Sequence, residues 1–165
     1  MGTLKRVTVN CSVDDIGERN FYIRWPSNWD DTVNSIMKLD AIRTVEWHVT
    51  QTVSIYNIFN LDRLDTWLRN NFDKHTTHNY VLYPEHLSLA AIPNDVKDQL
   101  RIKYRDSFDL DKRNELMAKL AMPYQPELTT QAKDFVEALD RSRNLDYKKY
   151  VPELEKIINA NSNSN

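Results

Sequence analysis

Residues 45–55 alternate between two rows, one apolar except for Gln51 and the other polar. Val45, Trp47, Val49, Gln51, Val53 and Ile55 form one row; Glu46, His48, Thr50, Thr52 and Ser54 form the other. A period of two is the signature of a strand with unlike faces. Asn57 and Asn60 then punctuate the chain, and Leu61, Leu64, Trp67 and Leu68 return at helical spacing. The stretch therefore predicts strand, loop, helix, with hydrogen-bonding groups along one strand face. Whatever fold forms must give that polar face something to look at, water or a ligand.

An earlier stretch repeats the pattern. Across residues 4–13, Val7, Val9, Cys11 and Val13 make an apolar row opposite Thr8, Asn10, Ser12 and Asp14. Gly17 follows in a turn and is expected in a conformation that other residues avoid. Residues 18–29 predict an irregular or short helical connection. Trp29, Val33, Ile36, Met37 and Leu39 then form a helical stripe after the capping stretch 27–30. Further on, residues 73–78 predict a polar connection and residues 87–92 a third strand. Helices are expected over 96–104 and 112–121, then after the Thr129/Thr130 cap, and around 152–158. Strands alternating with helices argue for parallel βα units. Fully covered parallel strands are usually apolar on both faces. Here one face stays polar, so a barrel wall is expected, with helices outside and the polar row lining an interior.

The chain is 165 residues long, 41% hydrophobic and 28% charged, which suits a folded domain and not a disordered one. A net charge of −2 gives no general attraction to nucleic acid or anionic membrane. No stretch is apolar enough to cross a bilayer, and the first residues lack a charged region followed by an apolar core. The single cysteine, Cys11, excludes an internal disulfide and suits a cytoplasmic home. It also excludes a multi-cysteine zinc or iron–sulfur site. With glycine only at positions 2 and 17, glycine-rich nucleotide loops are excluded too. His75-Thr-Thr-His78 lacks a third ligand at fixed spacing, so it reads as a polar loop. A lone strand histidine such as His48 reads as structural, Cys11 as a small buried hydrophobe, and the four tryptophans as packing residues.

The stretch N-C-S-V-D-D-I-G-E-R-N-F-Y-I-R-W-P-S-N-W-D, residues 10–30, resembles the fourth strand and following loop of radical S-adenosylmethionine enzymes. That family's pattern is S-x-D-G-x-G-x-x-N-E-Y-x-R-Y-P-x-x-W; here Asp15 replaces the first glycine and Phe21 the glutamate. V-x-x-T-V-S-I-Y-N-I-F-x-L looks like the next strand and helix. N-Y-V-L-Y-P-E-H-L-S-L-A-A-I-P and L-D-R-S-R-N-L-D-Y-K-K-Y-V-P-E-L resemble the members with a shortened auxiliary region, the twitch domain. The resemblance covers residues 7–155.

It implies an α/β chain of parallel βα units forming a partial, half TIM-like barrel over residues 1–104. A mainly helical region over 105–158 and a disordered tail over 159–165 would follow. It implies Ser12, Asp14, Arg24, Thr52 and Asn57 as cofactor-side residues, with Ser12 and Asp14 at the ribose and Arg24 at the methionyl carboxylate. The cofactor is S-adenosylmethionine in an assembled barrel. The family's CxxxCxxC loop, whose thiolates hold a [4Fe–4S] cluster, has no counterpart here. The cluster would come from a separate N-terminal half, the implied partner, and the chain is expected to be inactive alone. The alternative is a non-catalytic remnant or an α/β interaction module.

Overall fold

The computed structural model describes residues 7–160. Among them it is an α/β chain with eight α-helices and one three-stranded parallel sheet of order β1-β2-β3. The strands are β1 (Val7–Ser12), β2 (Val45–Val53) and β3 (Thr76–Tyr80). The chain divides into two compact units: Met1–Thr52 with Asn60–Asn79, and Val53–Phe59 with Tyr80–Asn165.

The first unit holds the sheet, apart from the last residues of β2 and β3, and the helices α1 (Gly17–Ile23), α2 (Trp29–Asp40) and α3 (Leu61–Phe72). β1 and β2 run parallel in a register that sets Val7 beside Val45 and Ser12 beside Thr50. The odd-numbered rows meet the helices: Val13, Ile36, Trp47, Val49, Leu64 and Leu68 form a buried cluster flanked by Val9, Cys11, Leu39 and Phe72. Trp47 and Trp67 both meet the Phe72 ring edge-on, and Trp29 meets Trp67 at 5.1 Å. Trp25 is the exception among the tryptophans, since it is 44% exposed. Asn28 starts α2 by accepting from the amides of Asp30 and Asp31 at 2.8 and 3.2 Å. Asp73, in the left-handed conformation, ends α3.

The even-numbered rows face the other way. Thr8, Asn10, Ser12 and Glu46 are exposed, and His48, Thr50 and Thr52 are half-buried. A hydrogen-bonded row crosses this face: Thr50 donates to Asn10 at 2.9 Å and lies 3.0 Å from the Thr77 hydroxyl.

The second unit is helical: α4 (Asn94–Tyr104), α5 (Leu110–Leu120), α6 (Pro126–Arg143), α7 (Tyr147–Tyr150) and α8 (Glu155–Ile158). Residues Val53–Phe59 are buried throughout, and the Tyr104 hydroxyl donates to the Ile58 carbonyl at 2.7 Å. α4 and α5 are joined by cations. Lys97 donates to the Met122 carbonyl at 2.7 Å and Arg101 to the Leu120 carbonyl at 2.6 Å, both at the end of α5.

Three expectations need correction. Residues 87–92 are not a strand but part of two 3-10 turns, Glu85–Leu87 and Leu89–Ala91. Ser88 caps the second turn by accepting from Ala90, and Leu89–Ile92 are all buried, so no two-faced pattern exists there. The third strand lies instead at Thr76–Tyr80, overlapping the end of the stretch expected to be a polar connection. β-branched Thr76 and Thr77 favour it, and its ends Thr76 and Tyr80 point inward. Finally, α6 starts at Pro126, so Thr129 is an interior residue whose hydroxyl donates to the Ala91 carbonyl at 2.8 Å. Of the tail expected over 159–165, positions 161–165 lie outside the described residues.

Candidate functional site

The polar groups that converge in the first unit do so where β1 and β2 end. Asp14 leaves β1 and is held from three sides. Its carboxylate accepts from the Thr52 amide at 2.8 Å, and its carbonyl accepts from Gln51 Nε2 at 2.9 Å. Its other carboxylate oxygen lies 3.0 Å from Arg24 Nη1. The Asp14 side chain is 7% exposed and that of Arg24 is 38% exposed, so a pinned carboxylate holds a partly exposed guanidinium by one of its nitrogens. The remaining guanidinium donors are open to a ligand carboxylate or phosphate. Asp14, Ile23, Arg24, Trp25, Pro26 and Ser27 line a hollow of about 560 Å³.

The loop that closes this hollow is tied down by Asn20, which is 1% exposed. Its Oδ1 accepts from the amides of Asp14 and Asp15 at 3.2 and 3.4 Å, and its Nδ2 donates to Ser27 Oγ at 3.3 Å. One side chain thus fixes the strand exit and the far side of the loop together. Asn20 stands in the quoted motif but was not among the residues expected at the site. The signal was a polar residue three positions after the only interior glycine.

Asp15, fully buried, accepts from the Ile16 amide and from Arg19 Nε, each at 2.8 Å. Burial pushes its carboxyl above the usual range, with the bonds to Ile16 and Arg19 pulling the other way. It braces the turn that follows β1. Gln51 is also fully buried, and its Oε1 has no hydrogen-bond partner.

The other expected site residues are placed differently. Ser12 is exposed and lines a second hollow of about 360 Å³ between β1 and α2, together with Cys11, Val13, Ser27, Ser35 and Ile36. Thr52 reaches Asp14 through its backbone amide. Asn57 belongs to the second unit, where its Oδ1 accepts from the Ser54 amide at 2.9 Å and closes a turn. Asp14, Arg24 and Thr52 are therefore brought together, Ser12 lies along the edge of β1, and Asn57 supports the backbone.

Among the described residues no group of three or more His, Cys, Asp or Glu side chains could hold a metal. His75 precedes β3 with Nδ1 at 3.5 Å from Asp65 Oδ2, whereas His78 lies within the strand. Cys11 is half-buried, and burial raises its thiol. No helix among these residues is long and apolar enough to cross a membrane. Comparison with protein-family models, with curated proteins and with solved structures gives no match.

Proposed function

We propose that the first unit is the cofactor-side wall of a radical S-adenosylmethionine barrel, a half barrel that works joined to a cluster-bearing half. The observation that carries this reading is the meeting of Asp14, Arg24 and the Thr52 amide beside one hollow at the ends of parallel strands. Ligands of βα barrels sit at those strand ends.

The residues fit one of the implied groups and not the other. A [4Fe–4S] cluster needs three thiolates; this chain has one, in mid-strand. No step of cluster chemistry is assigned to it. S-adenosylmethionine, which supplies a radical only when reduced by such a cluster, matches the donor set. Asp14 and Ser12 suit ribose hydroxyls, and the open fork of Arg24 suits the methionyl carboxylate. What these residues do is bind and orient. Asp14 aims the guanidinium, the Thr52 amide keeps Asp14 in place, and Asn20 holds the rim. A reducing, cytoplasmic setting belongs with this reading.

Calorimetry with S-adenosylmethionine tests it. The chain alone should bind weakly or not at all. The chain joined ahead of Val7 to the first three βα units of a radical S-adenosylmethionine barrel should bind in the micromolar range. Absence of binding in both forms would favour the second reading, a non-catalytic interaction module. That reading draws on the solvent-facing polar row of Thr8, Asn10, Ser12 and Glu46, on a sheet type usually covered on both faces.

A further inference from the structure

The outer edge of β1 carries three features of a pairing surface. The first is backbone. Val7 and Val13 donate across to Thr44 and Thr50, so odd-numbered residues face β2. By alternation, Thr8, Asn10 and Ser12 direct their N–H and C=O groups outward. Among the described residues no strand lies on that side. The second is composition. Edge strands are normally protected by lysine, proline or a bulge. Val7–Ser12 contains no charge and no proline, and its register with β2 runs without interruption. The third is packing. Val9 and Cys11 belong to the apolar row yet are only half-buried, and beside them lies the 360 Å³ hollow floored by Val13, Ile36 and Leu39.

We propose that this edge pairs with the same edge of a second copy of the chain, antiparallel, about a two-fold axis at Asn10. The strand is complementary to itself in that arrangement. Asn10 meets Asn10 of the copy, and Thr8 meets Ser12, so every outward N–H and C=O finds a partner. On the other face Val9 meets Cys11 and Val7 meets Val13, which covers the half-exposed apolar row. Charge agrees as well. α2 presents Asp31 near its start and Lys38 near its end, and among the described residues neither is ion-paired. Antiparallel copies of α2 set Asp31 of one toward Lys38 of the other. The hollow between β1 and α2 is then closed by the copy's own helix. This goes beyond the cofactor reading and does not depend on it; a cluster-bearing half and a second copy would compete for one edge.

Sedimentation of the full chain at low salt tests the pairing. The wild type should be dimeric in the micromolar range. Asn10→Asp keeps an acceptor for the Thr50 hydroxyl but sets two carboxylates face to face, and should weaken the dimer by at least about fivefold. An equimolar mixture of the Asn10→Asp and Asn10→Lys chains should restore association. A wild type that stays monomeric, an Asn10→Asp chain that associates like the wild type, or a mixture that stays dissociated would overturn the proposal. Each of those results leaves the calorimetric test of the cofactor site unaffected.

Discussion

Asp14 and Arg24 form one ion pair but do not contribute equally. Asp14 is buried and takes a charge-assisted bond from the Thr52 amide, while Arg24 is partly in water. Asp14→Ala strands that amide and should cost about 2–3 kcal/mol. Arg24→Ala removes a half-exposed partner and should cost under about 1 kcal/mol. Urea denaturation of both variants reads the difference, and equal costs would refute the pinning of Asp14 by β2. Gly17 carries a conformational argument instead. Its φ is +62°, and an added Cβ meets nothing within 4 Å, so Gly17→Ala should lose about 1 kcal/mol through backbone strain alone. A neutral or stabilising result in the same assay would remove that constraint. At this scale the sequence was informative about chemistry and silent about partners. Asp14 and Arg24 stand out by type and position, whereas the hub role of Asn20 depends on where a loop of seven residues returns.

Elements with unlike faces were legible before any coordinates. The rows of β1 and β2 and the stripes of α2 and α3 follow from period alone, because burial on one side leaves a pattern. The buried run Leu89–Ile92 has no such pattern, and two proline-bounded turns occupy the place of a strand. β3 was hidden because Thr76–Tyr80 is short and polar, its inward ends being a threonine and a tyrosine. The junction of α4 with the end of α5 was equally invisible, since nothing in the sequence says that Lys97 is buried. Burial, and then the nearby Arg101, push the Lys97 amine down to about 8. Its folded value lies below the unfolded one, so the folded chain holds this proton less tightly. Stability from this group should therefore rise with pH from about 8 toward 10. Measured against Lys97→Met, the wild type should gain up to about 1 kcal/mol per pH unit over that window. A constant difference between the two chains would show that Lys97 titrates as an exposed lysine.

At the scale of the molecule, the parallel sheet with helices on its apolar face was expected and is present. The two-unit division was not legible, because Val53–Phe59 reads as the continuation of β2 and its loop while being buried within the second unit. The polar face of β2, the feature that most constrains the chain, meets solvent at its Glu46 end and becomes half-buried toward Thr52, beside Asp14. A strand face graded in this way suits a ligand at the strand ends more than along their length. The central claim is that this end of the wall holds S-adenosylmethionine through Arg24. Calorimetric titration of the chain joined to a cluster-bearing first half, with and without Arg24→Ala, tests it most directly. The account predicts saturable micromolar binding that Arg24→Ala weakens by about tenfold or more, as loss of a charge-assisted bond requires. Equal affinity in the two joined chains, or none in either, would contradict it.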